Sequence, residues 1–203
     1  VEILKLYPKK LICIEKDKNF AKNLKTLFKN KKNLLVLNGD ILKLNLKRLI
    51  SNETIIVGNL PYNISTQILV KFIRFNPWPP KFKRLIFMFQ KEVGEKIIAR
   101  MGSSNYSRLS IITKSRLKIL NFFYVSKNCF LPKPKVDSIV IEFQPVKRKD
   151  INFKSIKSLE YITNVFFSNK RKMINKNIKK ILNEDQIKKV SDLNVRSRAE
   201  NID

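Results

Sequence analysis

Residues 54–62 have the sequence Thr-Ile-Ile-Val-Gly-Asn-Leu-Pro-Tyr, and this stretch decides the fold class. Four residues with a strong preference for strands run directly into Gly58 and Asn59. Helical spacing of apolar residues follows, at Ile64, Ile68, Leu69, Phe72 and Ile73. The change from a continuous run of strand-forming residues to helical spacing predicts a buried strand, a short polar loop and a helix. The helix should end before Pro77-Trp78-Pro79-Pro80, because proline cannot continue it.

The same alternation of strand and helix extends in both directions. Further strands are predicted at residues 11–14, 34–37, 84–89, 117–125 and 136–143, and helices after Asp17, over 91–101 and from 153 onward. Strands that alternate with helices are typical of a parallel sheet covered on both faces. The last two strands are joined by a proline-containing loop without a helix, which predicts an antiparallel pair. We place a domain boundary between residues 146 and 147, so that residues 147–203 form a small, basic helical domain.

The charge of the chain favours a polyanionic partner. Lys and Arg total 43 against 16 Asp and Glu, a formal net charge of +27. A field of this strength points to nucleic acid first and to an anionic membrane second. An AT-rich coding sequence would also enrich lysine and asparagine, but it does not explain why acids are so few.

The cellular setting follows from two further features of the sequence. No apolar run approaches the roughly 18–20 residues that a membrane span needs. The two cysteines, Cys13 and Cys129, form no CxxC pair, so we expect neither a disulfide framework nor a zinc site. These features predict a cytoplasmic protein without a bound metal.

The chain contains no histidine. This excludes Ser-His-Asp and Cys-His nucleophile schemes, the HxE signature of zinc deaminases and HExxH metalloproteases. Any chemistry must therefore depend on carboxylates, amides, lysines, aromatic rings and a cofactor.

Polar residues follow three of the predicted strands at their carboxyl ends: Glu15, Asp40 and Asn59. In open α/β sheets, ligands bind at this edge. Glu15 is suited to accept hydrogen bonds from ribose hydroxyls, and Asp40 to accept one from an adenine amino group. Each acid alone is equally well explained as a helix cap or a solvated turn. Together with the adjacent Lys16 and Ile41, these three residues form the predicted cofactor site.

The tetrapeptide Asn59-Leu60-Pro61-Tyr62 carries the strongest chemical signal. An exocyclic adenine amine is a poor nucleophile because its lone pair is delocalised into the ring. Two acceptors, the Asn59 side-chain oxygen and the Leu60 carbonyl, would bind both N–H groups and free that lone pair. Pro61 stiffens the loop, and the Tyr62 ring offers a face on which an extruded base can stack. The alternative is an ordinary turn after a strand.

Two stretches resemble the ribosomal RNA adenine dimethyltransferase family. Residues 58–66, Gly-Asn-Leu-Pro-Tyr-Asn-Ile-Ser-Thr, resemble its catalytic loop. Residues 130–138, Phe-Leu-Pro-Lys-Pro-Lys-Val-Asp-Ser, are similar to its later loop and final strand. Shorter matches follow in the family's order at residues 90–93, 106–110, 170–172 and 198–202. The resemblance therefore covers nearly the whole chain.

The resemblance implies a Rossmann-like class I methyltransferase sheet with S-adenosylmethionine as cofactor. It implies that Phe130 stacks on the target adenine opposite Tyr62. The match at 198–202 is closer to the small-subunit branch of the family, which implies N6-dimethylation of two adjacent adenosines near the 3′ end of 16S rRNA. The implied partner is the immature small ribosomal subunit, and we expect the enzyme to be a monomer.

The chain also departs from the family's pattern. The family's first strand ends in a glycine-rich loop that holds the methionine portion of the cofactor, whereas the four glycines here form no GxG: Gly39, Gly58, Gly94 and Gly102. Ser107 stands where the family commonly has glycine. We expect the sequence to lack that first strand and also a last helix. Because the strands on either side of the missing strand would lose their hydrogen-bonding partners, this segment alone should be unstable or inactive.

A set of basic residues is predicted to contact RNA phosphates: Arg108, Lys133, Lys135, Lys170, Arg171 and Lys172. Any one of them alone is better explained as part of a solvated surface.

Two alternative functions remain at this point: a non-catalytic RNA-binding or ribosome-assembly factor on the same fold, and a 23S rRNA methyltransferase of the erythromycin-resistance type. The intact loop at residues 59–62 argues against the first. A DNA adenine methyltransferase shares similar loop chemistry, but the matches at 130–138 and 198–202 point away from it.

Overall fold

The computed structural model describes residues 2–151, 153–170, 172–190 and 194–202. The chain divides into two compact units, residues 1–50 and residues 51–203. The boundary predicted between residues 146 and 147 lies within the second unit and stays a prediction.

The first unit contains two parallel strands, β1 (Leu11–Glu15) and β2 (Leu34–Asn38), connected by helix α1 (Lys18–Leu27). The helix predicted after Asp17 is confirmed, and Asp17 caps it, since its Oδ1 accepts hydrogen bonds from the backbone N–H groups of Asn19 and Phe20 at 2.8 and 2.9 Å. Short 3-10 helices at Glu2–Leu6 and Leu46–Arg48 lie before and after this motif. Two strands offer only a narrow surface for the helix to cover. Within α1, only Ala21 is buried.

The second unit is built on a four-stranded mixed sheet. Its strands are β3 (Ile55–Asn59), β4 (Arg84–Gln90), β5 (Leu117–Val125) and β6 (Ser138–Pro145), in the order β3-β4-β6-β5. β3 and β4 are parallel, whereas β6 is antiparallel to both β4 and β5. The antiparallel pairing predicted for the last two strands is therefore confirmed.

The helices of this unit are α2 (Ser65–Ile73), α3 (Lys91–Ile98), α4 (Arg108–Lys114), α5 (Ile156–Phe167), α6 (Asn175–Ile178) and α7 (Glu184–Lys189). Further 3-10 helices lie at Lys127–Cys129, Arg148–Asp150 and Ala199–Asn201. None of the described helices is long and apolar enough to cross a membrane.

The core lies on one face of the four-stranded sheet. Alternate residues of β4 and β6 supply it, and all are fully buried: Leu85, Phe87, Phe89, Ile139, Ile141 and Phe143. The Phe72 ring of α2 packs 5.5 Å from the Phe87 ring. Burial of side chains of this size stabilises a fold by about 1.5–3 kcal/mol each. This core holds β3 and β4, and thereby the loop that follows β3.

Three helical features differ from the prediction. Helix α3 ends at Ile98 rather than Met101, and α4 was not predicted. The helical spacing of Ile156, Leu159, Ile162, Val165 and Phe166 predicts one apolar stripe on α5, and this prediction is wrong in part, because Ile162 is exposed and Glu160 is buried. Glu160 is buried because Arg74 donates to both of its carboxylate oxygens, each at 2.8 Å.

The two sheets each leave an edge without a strand partner among the described residues. β1 pairs with β2, and β3 pairs with β4. On β3, Ile55 and Val57 are each 54 % exposed. Apolar side chains therefore line an open strand edge in the second unit.

Candidate active site

The loop at Asn59–Tyr62 is held by a tight turn between β3 and α2. A Cβ at Gly58 would lie 2.5 Å from Leu60 Cδ2 and 3.2 Å from Phe87 Cδ1, so a larger residue would require the Leu60 side chain to move. The Pro61 carbonyl accepts a hydrogen bond from the Ile64 N–H at 3.1 Å. The buried Ser65 hydroxyl donates to the Tyr62 carbonyl at 3.0 Å. The backbone of the loop is thus fixed by its own hydrogen bonds.

This arrangement leaves the two predicted acceptors, the Asn59 side-chain oxygen and the Leu60 carbonyl, available to a ligand. The turn uses the carbonyls of Pro61 and Tyr62. The described residues supply no hydrogen-bond donor to the Asn59 side-chain oxygen or to the Leu60 carbonyl, and Asn59 is exposed. An exocyclic amine brought to this loop would therefore find two acceptors that do not first have to break protein hydrogen bonds.

The loop faces an open cavity of about 320 Å³. The lining includes every predicted catalytic and base-stacking residue, together with three further side chains: Asn59, Leu60, Pro61, Tyr62, Phe130, Met88, Pro132 and Pro134. The volume lies at the lower end of the range for pockets that bind small organic molecules, and it suits a single base. Sequence reasoning missed Met88, although β4 places it directly beside Asn59 in the strand register.

Ser138 holds the Tyr62 ring in place. In the sequence, Ser138 was noted only as the last residue of the motif at residues 130–138. The two hydroxyl groups lie 2.7 Å apart, and Ser138 is fully buried at the start of β6. A hydrogen bond at this distance restricts rotation of the ring. Tyr62, which lines the cavity, is therefore held in one orientation.

The segment that carries Phe130 is anchored at both ends. The Asp137 carboxylate accepts a hydrogen bond from the Lys127 N–H at 3.0 Å, and the Asp137 carbonyl accepts one from the Lys91 N–H at 2.9 Å. The Ser126 side chain caps the intervening 3-10 helix by accepting from the Asn128 N–H. These contacts hold Phe130, which is half-buried, at the cavity wall.

In the first unit, the predicted cofactor residues lie together at the carboxyl ends of β1 and β2. The Asn38 amide donates to the carbonyls of Glu15 and Lys16, each at 3.0 Å, and so ties the two strand ends together. One Glu15 carboxylate oxygen accepts from the Asp17 N–H at 2.8 Å. Lys16 Nζ lies 3.5 Å from the Asp40 carboxylate.

The Asp40 carboxyl group is held in its ionised form. Its Oδ1 accepts a hydrogen bond from the Leu42 N–H at 2.9 Å. This hydrogen bond, and then the nearby Lys16 ammonium, hold the pKa of Asp40 below its usual value. The neighbouring Ile41 is half-buried. Asp40 can therefore act as an acceptor at neutral pH.

Comparison with known proteins identifies the chain. The family model described as ribosomal RNA adenine dimethylase matches residues 1–202. The chain belongs to the ribosomal RNA adenine dimethylase family. It is 42 % identical over 177 residues to ribosomal RNA small subunit methyltransferase A of Pelagibacter ubique (strain HTCC1062), a match that covers 86 % of this chain and 65 % of that protein. The chain spans about two thirds of the length of the curated relatives it matches.

Two solved structures share the fold of this family member. A dimethyladenosine transferase from Plasmodium falciparum has a TM-score of 0.75 at 26 % identity, covering 96 % of this chain and 78 % of that one. The 23S rRNA methyltransferase ErmE has a TM-score of 0.65 at 20 % identity, covering 95 % and 78 % respectively, and it bears on the fold alone. The predicted Rossmann-like methyltransferase fold is confirmed.

The basic residues predicted to contact RNA lie in different environments in this member of the family. Lys133, Lys135 and Lys172 are exposed. Arg108 donates to the Asn164 side-chain oxygen at 3.2 Å. Lys170 pairs with Glu200 at 3.2 Å and donates to the Ser104 carbonyl, so protein groups already engage its ammonium. Arg171 lies outside the described residues. Their role in RNA binding stays a prediction.

Proposed function

We propose that this protein transfers methyl groups from S-adenosylmethionine to the N6 atoms of two adjacent adenosines near the 3′ end of 16S rRNA. One observation carries the proposal. Asn59 and Leu60 line a cavity of about 320 Å³ together with Tyr62 and Phe130. The choice of the small-subunit RNA rests on the names of relatives such as the Pelagibacter ubique protein.

The chain's own residues activate the amine in this proposal. Asn59 and Leu60 accept hydrogen bonds from the two N6 protons, which draws the nitrogen toward tetrahedral geometry and frees its lone pair. Tyr62 and Phe130 stack on the extruded base and align N6 with the methyl donor. When bound, S-adenosylmethionine supplies a methyl group made electrophilic by the attached sulfonium. After transfer, the two acceptors hold the substituted amine while it loses a proton to water.

The residues of the first unit have suitable chemistry for the adenosine part of this cofactor. The second carboxylate oxygen of Glu15 can accept from a ribose hydroxyl, because the Asp17 N–H occupies only one of the two. The ionised Asp40 can accept from the adenine amine, and Ile41 offers an apolar contact beside it. We propose that Lys16 orients Asp40 through their ion pair. The predicted contact of Asn59 with the cofactor stays a prediction.

The surroundings of the site suit a large RNA substrate. With a net charge of +27, the chain attracts phosphates over a long range. We propose that residues 147–203 act as the basic RNA-binding domain, together with Arg108, Lys133 and Lys135. We further propose a monomer working on the immature small subunit in the cytoplasm, a reducing compartment in which Cys13 and Cys129 stay free.

A radiolabelled methyl-transfer assay tests the proposal. Protein made from the complete coding sequence is incubated with immature small subunits and methyl-labelled S-adenosylmethionine, and the labelled nucleosides are mapped. We expect label on two adjacent adenosines near the 3′ end of 16S rRNA. RNA binding without transfer would identify a non-catalytic assembly factor, and label on 23S rRNA would identify the resistance-type specificity. Either result would refute the proposal.

Replacement of Ser138 by alanine is expected to lower the rate constant of methyl transfer by about tenfold, with little change in RNA affinity. The change removes the 2.7 Å hydrogen bond that fixes Tyr62, and a net hydrogen bond contributes about 0.5–1.5 kcal/mol. Tyr62→Phe breaks the same bond while keeping the ring. Single-turnover kinetics of S138A, Y62F and the double variant form a cycle. The double variant should be no slower than either single one, and multiplicative losses would rule out this shared role.

A further inference from the structure

The outer strand β5 exposes a run of aromatic side chains. Phe122, Phe123 and Tyr124 are 43, 56 and 51 % exposed. β5 is the last strand in the order β3-β4-β6-β5 and pairs only with β6 among the described residues. Edge strands of natural sheets are usually protected by charges or proline, so adjacent exposed aromatic rings at an edge indicate a binding surface.

Two of these rings and one lysine form a compact group. Phe122 and Tyr124 pair with Ile141 and Ile139 in the strand register, so both lie on the sheet face that carries the core. Their ring centroids are 6.2 Å apart, with an interplanar angle of 85°. The ammonium of Lys91, the first residue of α3, lies 5.6 Å from the centre of the Tyr124 ring. Phe123 points to the opposite face.

This group lies at the same edge of the sheet as the cavity. Tyr124 precedes Val125, which pairs with Ser138, the residue that holds Tyr62. The carboxyl ends of β3, β4 and β5 and the start of β6 meet at this edge. Three strand spacings separate β3 from β5, a distance of about 14 Å. An RNA segment that places a base in the cavity could therefore extend to β5.

We propose that Phe122, Tyr124 and Lys91 form an accessory site that stacks unpaired bases of the RNA next to the target adenosine. The inference rests on the proposed function and deepens it. Aromatic faces stack on any base, and a lysine beside them can pair with the phosphate between two nucleotides. The net charge of +27 favours RNA over a second copy of the chain, since two copies would repel each other.

The test measures binding of a labelled single-stranded RNA of mixed sequence by fluorescence anisotropy over a range of salt concentrations. The variant Phe122→Leu/Tyr124→Leu keeps apolar side chains on the strand but removes both rings. We expect its affinity for single-stranded RNA to fall at least about fivefold, with a much smaller change for fully paired RNA. Lys91→Gln should reduce the slope of log affinity against log salt by about 0.7.

One exposed aromatic residue outside the group serves as a matched control. Phe123→Leu lies on the same strand but on its other face, and it should not change the affinity. Circular dichroism shows whether each variant is folded, and the Lys91 variant tests the site without altering β5. If F122L/Y124L binds single-stranded RNA like the wild type, or if it only abolishes self-association in sedimentation, the accessory site is refuted.

Failure of this inference and failure of the proposed function give different results. If the wild type methylates 16S rRNA while F122L/Y124L binds and methylates equally well, only the proposal of an accessory site is refuted. If the wild type binds single-stranded RNA through these rings but methylates no adenosine, the accessory site is supported and the proposed function is refuted.

Discussion

Replacement of Asn59 by alanine should lower methyl transfer by at least about a hundredfold while RNA affinity stays nearly unchanged, since the loss of one oriented group at a reacting centre typically costs that much. The variant removes one of the two acceptors at the cavity, so the target amine keeps its lone pair in the ring. The phosphate-binding lysines are untouched. Single-turnover transfer of labelled methyl groups and anisotropy of labelled RNA measure the two effects separately.

Asn63→Ala is the matched control for this experiment. Asn63 is an exposed asparagine in the same loop, and it does not line the cavity. Its replacement should leave transfer close to the wild-type rate. Asn59→Asp, which keeps an acceptor oxygen at the same position, should retain more activity than N59A. Wild-type turnover by N59A would contradict the assigned role of the side chain.

Replacement of Gly94 by alanine is expected to destabilise the second unit by about 1–3 kcal/mol. A Cβ at this position of α3 would lie 1.9 Å from Ile139 Cγ2, in the fully buried core. Alanine favours the helix by roughly 1 kcal/mol over glycine, so the steric term must exceed that gain for the net effect to be a loss. Urea titration measures the free energy of unfolding.

A double-mutant cycle with Ile139→Ala isolates the steric cause. Ile139→Ala removes the clashing methyl group and is destabilising by itself, by about 2–5 kcal/mol. In that background, G94A should cost little or become stabilising, because the space now exists and the helix preference remains. An equal cost of G94A in both backgrounds would show that the close approach of α3 to β6 is not its cause.

Local patterns in the sequence were sufficient for the strands and for the turn after β3. Apolar runs place all six strands to within two residues at either end, and the Asp17 cap and the turn at Asn59–Tyr62 depend on neighbouring residues alone. The five residues expected at the target base lie at one cavity because β3 and the segment after β5 meet at the same sheet edge.

The features that the sequence did not reveal depend on contacts between distant residues. Ser138 is 76 positions from Tyr62, and the burial of Glu160 depends on Arg74, which is 86 positions away. A buried glutamate looks like a surface residue until its partner is known. In the same way, pairing with Glu200 distinguishes Lys170 from the exposed Lys172.

The open edge of β3 has a consequence for handling the protein. Among the described residues, no strand pairs with this edge beside Ile55 and Val57, and such an edge can recruit a strand from another molecule and start an intermolecular ladder. Like charge opposes that encounter, but the Debye length shrinks from about 30 Å at 0.01 M to about 10 Å at 0.1 M ionic strength. Colloidal stability should therefore be greatest in dilute buffer, and precipitation should increase as salt is added.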